Sequence, residues 1–213
     1  MFRICFAMAL ILTLPASWRG EVKTYSFKDL KSGEIAKGWH AAKTGEGEGS
    51  VWKIVDDATA DDRKALAQTA ASPSAMFNLC TADDSKFGDG ELTVKFKANA
   101  GEIDQGGGPV WRYKDQNNYY ICRVNPLEEN FRLYKVVDGK RTTLASANTK
   151  AEFGKWHTIL VKHTGKQIEC SLNGQKLLEA LDDSFSQPGK IGLWTKADAQ
   201  TSFCGVRMVA KTP

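Results

Sequence analysis

The feature of this sequence that most constrains its fold is a repeated alternation of apolar and polar residues, interrupted by tight-turn dipeptides. Residues 92–98 and 167–172 show this period of two, which is typical of half-buried strands. Asp138-Gly139 and Asn173-Gly174 favour the positive φ angles of two-residue hairpin turns. Because almost no segment has the helical period, the sequence predicts an all-β sandwich of antiparallel strands.

The same patterning gives the expected strands and core. Long loops are expected between residues 33 and 89, and Trp39, Trp52, Trp111, Trp156 and Phe96 are expected to pack in the core. The predicted strands lie at or near residues 25–27, 51–55, 66–70, 92–98, 110–113, 119–125, 131–137, 156–163, 167–172, 175–179, 190–196 and 203–210.

The first 20 residues have the pattern of an export signal. One cation, Arg3, precedes an apolar run over residues 4–14, and the small residues Ala16 and Ser17 follow. A retained membrane anchor is the alternative, but a span needs about 20 apolar residues. We therefore expect a secreted or periplasmic protein without a stable membrane anchor, in which residues 21–213 form one sandwich domain.

The charge of the mature chain argues against nucleic acid as a partner. The formal net charge of +4 falls by two, to +2, when Arg3 and Arg19 are removed with the signal. Lysines and arginines are interspersed with acidic residues, and no basic cluster typical of polyanion binding occurs.

The cysteines and histidines do not predict a metal or a cofactor. Four cysteines remain after residue 20, and an even count in an exported chain permits two disulfides with three connectivities. Their apolar, strand-like surroundings equally fit buried free thiols, so both alternatives stay open. The four are Cys80, Cys122, Cys170 and Cys204. No Cys-x-x-Cys pair occurs and the three histidines lack metal-ligand spacing, so we expect no metal and no cofactor.

Two arginines on neighbouring strands are the strongest candidates for ligand contact. Alternation places Arg112 and Arg123 on one face, beside glycines 106–108, and glycine in a strand often marks the close approach of a ligand. Trp194 and Lys196 share one face of a later strand. Directed donors beside an aromatic ring suit a sugar, so these four residues are predicted to line a sugar-binding groove. The alternatives are exposed ion pairs for the arginines and core packing for Trp194.

Catalytic residues cannot be assigned from the sequence. Glycoside hydrolysis usually needs two carboxylates that flank the scissile bond. The acidic pairs of this chain lie in predicted loops, where solvated turn residues are the commoner case. Glu102-Ile-Asp104 resembles the start of the Glu-x-Asp-x-x-Glu signature of laminarinase-type hydrolases, but glycine stands at the final position.

Two stretches resemble a known family. Residues 106–124 and 189–203 are similar to the concanavalin A-like, laminin-G-like sandwich of the 3-keto-disaccharide hydrolase family, which is related to glycoside hydrolase 16. The resemblance covers roughly residues 25–211. It implies a jelly roll of two antiparallel sheets and carbohydrate as the partner. Its glycine-rich lead-in and strand-ending arginine correspond to glycines 106–108 and Arg112.

This chain departs from the family pattern where relatives carry chemistry. Ile121 and Arg123 stand where relatives have Glu and Gln, and Lys196 stands near a histidine of relatives. These changes remove groups suited to acid–base catalysis. Two functions therefore remain. One is a secreted hydrolase of glycosides or 3-keto-disaccharides, and the alternative is a non-catalytic glycan-binding or cell-surface adhesion module.

Overall fold

The computed structural model describes residues 20–211, which form 15 strands and contain no helix. The expected export signal lies almost wholly outside this range. The strands are β1 (Gly20–Tyr25), β2 (Trp39–Thr44), β3 (Trp52–Asp56), β4 (Lys64–Gln68), β5 (Phe77–Ala82), β6 (Gly90–Ala100), β7 (Gly107–Asp115), β8 (Asn118–Asn125), β9 (Asn130–Val137), β10 (Lys140–Asn148), β11 (His157–Thr164), β12 (Gln167–Leu172), β13 (Gln175–Leu181), β14 (Lys190–Lys196) and β15 (Gln200–Lys211).

The strands form two antiparallel sheets. The first has the order β13-β12-β11-β6-β15-β4-β3, and β1 pairs with β15 outside this path. The second has the order β10-β9-β8-β7-β14-β5-β2. The predicted all-β architecture of two antiparallel sheets is confirmed.

The main core lies between the sheets and follows from the alternation. Along β6 every second side chain is buried, including Leu92, Val94 and Phe96. Trp111 and Leu193 contribute from the second sheet to the same core. Trp39 and Trp52 also pack there, as expected, whereas the prediction for Trp156 is wrong. Its indole is only partly buried and stacks under the Lys97 ammonium, because it lies just before β11.

The predicted hairpin turns form as expected. Asp138 and Gly139 have φ values of 48° and 76°, and Asn173 and Gly174 have 50° and 85°. These angles belong to the turn type whose twist matches that of the flanking strands. The turns fix the registers of β9 with β10 and of β12 with β13.

Three strands were not predicted from the sequence, and there is a physical reason in each case. All six residues of β5 are buried because both of its faces are covered, so it shows no alternation. β10 is an edge strand rich in polar residues, with a register irregularity between Thr143 and Ala145. β2 carries small residues, Ala41 and Ala42, instead of bulky apolar ones.

The second sheet is strongly curled on the side away from the first sheet. Five inter-strand steps separate β10 from β5, which corresponds to about 24 Å in a flat sheet. Nevertheless the Arg141 guanidinium on β10 lies 5.0 Å from the centre of the Phe77 ring on β5. Thr44 on β2 also hydrogen-bonds the Gln116 carbonyl in the β7–β8 turn. We call this curled side the concave face.

The cysteines after the predicted signal are all buried free thiols, which settles the alternative left open by the sequence. Burial raises the pKa of the Cys80 and Cys204 thiols. Within residues 20–211 we find no helix that could cross a membrane.

Candidate functional site

Three of the four predicted site residues lie on the concave face. Trp194 pairs with Gly108, and the register of β7 with β8 places Arg123 on the other side of that glycine. Gly108 therefore leaves a position without a side chain between the Arg123 and Trp194 strands. Lys196 lies two residues beyond Trp194 on the same side of β14. Ile191 and Leu193 face the inter-sheet core, and Trp194 faces the opposite side.

One end of the concave face carries a compact set of charges, which we call the charged cluster: Asp104, Arg123, Glu128 and Lys196. The Arg123 guanidinium donates to Glu128 Oε2 at 2.8 Å and to Asn130 Oδ1 at 3.1 Å. The Lys196 ammonium lies 3.6 Å from Asp104 Oδ2. Exposure differs sharply, because the Arg123 and Asp104 side chains are each 1% exposed, Lys196 is 20% exposed and Glu128 is 36% exposed.

Backbone amides hold the loop that carries Asp104. The Asp198 carboxylate accepts hydrogen bonds from the amides of residues 102–104. Asp104 Oδ1 in turn accepts from the Gly106 amide at 2.6 Å and from Asn125 at 3.0 Å. The loop thus fixes one carboxylate oxygen and leaves Oδ2 toward Lys196.

The two carboxyls of the charged cluster have opposite pKa shifts. Burial raises the pKa of Asp104, although Arg123 opposes this change. Burial also acts to raise the pKa of Glu128, but hydrogen bonds from Asn130 and Arg123 outweigh it and lower that pKa to about 2. Glu128 is therefore ionised at neutral pH, whereas Asp104 binds a proton more readily than an ordinary aspartate.

The centre of the concave face holds an aromatic cluster of Phe77, Tyr119, Tyr134 and Trp194, which Arg141 covers. The Arg141 guanidinium lies 4.5 Å from the centre of the Tyr134 ring and 5.8 Å from that of Trp194. A cation over ring faces is attracted by their electron density. Trp194 has an exposed fraction of 0%, so a sugar reaches this ring only if Arg141 moves.

Unpartnered polar atoms are concentrated at this face. Asp104 Oδ2, Arg123 Nε and Arg141 Nη1 are three of the six buried side-chain nitrogen and oxygen atoms that lack a hydrogen-bond partner within residues 20–211. Buried polar groups are normally paired, and each exception calls for an explanation. Trp194 Nε1 is a fourth such atom on this face. Three donors and one acceptor on one face are a set that a hydroxylated ligand can satisfy.

The prediction that Arg112 shares a face with Arg123 is wrong. Arg112 adopts a φ of 45°, within a register irregularity between Trp111 and Asp115, and this bulge resets the alternation. Its guanidinium donates to Asp89 at 2.9 Å and to the Phe185 carbonyl at 2.6 Å, on the side of the first sheet. Arg112 is therefore separated from the concave face, and the four predicted residues do not line one groove. Whether any of them contacts sugar stays a prediction.

Sequence reasoning missed Glu128, Tyr134 and Arg141. Glu128 was expected to be a solvated turn residue, and Arg141 lies on the strand that the pattern did not reveal. Asp104 drew attention in the sequence through a short motif. Its position just before glycines 106–108, which lead into the strand adjacent to that of Arg123, was the available signal.

The histidines and acidic residues give no metal centre in the described part of the chain. No group of three or more metal-ligating side chains lies close enough there to hold an ion. The charged cluster contributes only two carboxylates, and cations flank both of them.

Solved structures of low sequence identity share the fold. A carbohydrate-binding module, CBM66, from Bacillus subtilis superposes with a TM-score of 0.64 at 19% identity, and the match covers 80% of this chain and 95% of that one. A β-glucanase from Bacillus licheniformis gives 0.54 at 16% identity, with coverage of 84% and 95%. A protein of unknown function with a galectin-like fold from Bacillus subtilis gives 0.55 at 15%, with coverage of 82% and 90%. The expected concanavalin A-like jelly roll is confirmed.

Sequence comparison identifies the family. No curated protein sequence matches the chain. A family model described as the 3-keto-alpha-glucoside-1,2-lyase-like domain matches residues 26–208, which include the whole second sheet with its concave face and the first sheet except β1 and the end of β15. The resemblance noted in two stretches of sequence thus extends over most of the chain, which belongs to the 3-keto-alpha-glucoside-1,2-lyase-like domain family.

Proposed function

We propose that this is an exported, carbohydrate-active protein that binds a glycoside at the charged cluster of the concave face. The observation that carries the proposal is the set of buried, unpartnered polar atoms on Asp104, Arg123 and Arg141. The family match and the carbohydrate-binding module among the structural neighbours support the same ligand class.

The chemistry of the charged cluster suits sugar hydroxyls. A hydroxyl both donates and accepts, so it is best bound where cations and carboxylates alternate. Lys196 and Arg123 supply donors, and Asp104 and Glu128 supply acceptors. Hydrogen bonds that involve charged groups are roughly twice as strong as neutral ones, which gives a small site useful affinity.

The side chains of the charged cluster differ in how accessible they are to a ligand. Lys196 and Glu128 are accessible, so they meet the ligand first. Arg123 lies beneath and holds Glu128 in place through a hydrogen bond of 2.8 Å. A sugar that displaces Arg141 also gains the Trp194 ring as a stacking surface.

Glycan binding is tested with an array of oligosaccharides, followed by calorimetry on the best ligand. Lys196→Gln is expected to weaken binding by about tenfold, because it removes a charge-assisted hydrogen bond worth about 1.5 kcal/mol or more. The matched control is Lys155→Gln, which removes the same charge from an exposed side chain outside the concave face. Equal affinity of both variants and the unchanged protein would place the sugar elsewhere.

A catalytic role for Asp104 is the second candidate, and the opposite pKa shifts of Asp104 and Glu128 favour it. When the environments of two carboxyls shift their pKa values in opposite directions, one carboxyl commonly acts as the acid and the other as the base. In a glycoside oxidised at C3, the ketone acidifies the C2 proton. A base removes that proton, the C1–C2 double bond forms, and the C1–O bond breaks as the leaving oxygen takes a proton.

In that reaction Asp104 is the base and the Arg123 and Lys196 cations stabilise the negative charge on the ketone oxygen. The assay incubates the protein with a 3-keto disaccharide and with the same disaccharide unoxidised, and follows the release of monosaccharide. Asp104→Asn is expected to abolish turnover and to retain binding. Binding without turnover of either substrate by the unchanged protein would leave the glycan-binding function and exclude the catalytic one.

A further inference from the structure

A second site lies on the other side of the curled sheet. A cavity of about 1000 Å³ opens where the ends of β7 to β10 face the segment of residues 184–189. Lys135, which lines it, bonds the same Asp182 carboxylate as Tyr120, a residue of the inter-sheet core. The cavity is therefore separated from the concave face by the sheet itself.

The lining of this cavity is predominantly cationic. Arg112, Lys114, Lys135 and Lys140 face it, and Asp138 is the one carboxylate among its described lining residues. The counter-charges of Arg112 and Lys135 are Asp89 and Asp182, and neither of these lines the cavity.

Two of the lysines, Lys114 and Lys140, form no ion pair with a carboxylate of residues 20–211. Both side chains are exposed at the cavity mouth, where they are free to turn toward a ligand. The cavity therefore has an excess of positive charge for an anion to neutralise.

Arg112 is a buried part of the cavity wall. Its side chain is 3% exposed and its backbone has the left-handed φ of 45°. The guanidinium donates to the carbonyls of Gly88 and Phe185 and to Asp89. A non-glycine residue keeps such a conformation only when its surroundings impose it, and such residues are concentrated at functional sites.

The remaining lining suits a sugar ring. Phe185 presents a half-buried ring, which packs edge-on against Tyr120 at 4.9 Å. Ser184, Ser186 and Gln187 add neutral hydrogen-bonding groups beside it. A volume of about 1000 Å³ is at the upper end of small-ligand pockets. It is larger than a free phosphate or acetate ion needs.

We infer that this cavity binds an acidic saccharide, a short sugar chain that carries carboxylate groups. The lysines pair with the carboxylates, Arg112 reinforces the positive field from the wall, and Phe185 packs against a ring face. This site is distinct from the concave face and does not depend on the function proposed there.

The test uses digalacturonate as the probe, neutral galactobiose as the matched uncharged disaccharide, and sodium acetate as the free anion. Binding is followed by nuclear magnetic resonance titration of the unchanged protein and three variants. Lys114→Gln with Lys140→Gln removes the two free cations of the cavity. Lys28→Gln with Lys155→Gln removes two exposed cations away from the cavity, and Lys196→Gln alters the concave face.

Digalacturonate is expected to shift resonances of the 184–189 segment. The expected affinity is at least about tenfold higher than that of galactobiose, and it falls at least about tenfold in the Lys114/Lys140 variant. It is expected to fall with added salt as well. The Lys28/Lys155 and Lys196 variants are expected to bind digalacturonate in the cavity with the affinity of the unchanged protein.

Other outcomes overturn the inference. Absence of binding at 10 mM probe (roughly the weakest affinity of interest), equal affinity for galactobiose, or equal affinity for acetate would each do so. If the Lys196→Gln variant alone loses digalacturonate binding, the acidic saccharide binds at the concave face and not in the cavity. Loss of neutral glycan binding in Lys196→Gln bears only on the function proposed above.

Discussion

The buried histidine of β11 predicts a specific loss of stability at acidic pH. His163 has an exposed fraction of 0%, and its Nδ1 accepts a hydrogen bond of 2.9 Å from the Trp111 indole. Its Nε2 lies 3.1 Å from the Gly165 carbonyl. This pairing requires the proton on Nε2, so a second proton on Nδ1 would oppose the indole N–H.

The pKa of His163 is correspondingly low. Burial is the main cause and the nearby Arg112 cation adds to it, whereas Asp89 and Asp182 act in the opposite direction, and together they lower the pKa from 6.5 to about 4. The unfolded chain therefore binds a proton at a higher pH than the folded one. The stability contribution is fully present above pH 6.5, is lost progressively as the pH falls, and is exhausted below about pH 4.

The magnitude follows from the two pKa values. Each tenfold difference in proton affinity is worth about 1.4 kcal/mol, so the full loss is about 3 kcal/mol. About 2 kcal/mol of it falls between pH 7 and pH 4.5. Urea unfolding at these two pH values measures the change in the free energy of unfolding.

The perturbation is His163→Gln, whose amide can accept from the indole and donate to the carbonyl without titrating. The variant is expected to lose about 2 kcal/mol less than the unchanged protein between pH 7 and pH 4.5. His40→Gln is the control, because the His40 side chain is 73% exposed. Parallel pH dependence in the His163 variant and the unchanged protein would refute the reasoning. So would a His163 ring resonance that titrates near 6.5 in the folded protein.

Three further outcomes are expected. Trp194→Ala removes a ring that is 0% exposed, so it should lower the free energy of unfolding by about 3–5 kcal/mol in chemical denaturation; a loss below about 1 kcal/mol would contradict the packing of the aromatic cluster. Arg112→Met leaves Asp89 without its buried partner and should cost about 3 kcal/mol, whereas Arg132→Met, at a side chain 36% exposed, should cost less than about 1 kcal/mol in the same assay. The four buried cysteines should react with a thiol reagent only after denaturation, and rapid reaction of the native protein would argue against their burial.

Strands with one covered face were readable from their alternation. β12 begins and ends at the predicted residues, because its side chains alternate between the core and a more exposed face. β14 has the predicted bounds as well, although both of its faces are buried, because a lysine marks each end of its apolar run. β5 was missed for the opposite reason, since curling of the second sheet buries both of its faces. Periodicity records the contrast between two faces, and that contrast disappears when both are buried.

The candidate site shows the same limit at the level of single residues. The sequence placed Arg123, Trp194 and Lys196 correctly relative to their own strands, because alternation is a local property. It misplaced Arg112, because one residue with a φ of 45° resets the alternation of β7. The backbone conformation of that residue depends on contacts with Asp89 and Phe185, which are distant in the chain.

The sequence by itself determined the all-β class, the hairpin turns, most of the predicted residues of the inter-sheet core and the family resemblance. These depend on interactions within a few residues, such as side-chain alternation and the positive φ angles of Asp-Gly and Asn-Gly turns. Only the tertiary structure decided the curl of the second sheet, which brings Arg141 from the edge strand over Phe77. It also decided the opposite environments of Asp104 and Glu128 and the cationic cavity around Arg112. Charge, burial and pKa at these places depend on which distant strands come into contact. The local sequence pattern does not contain that information.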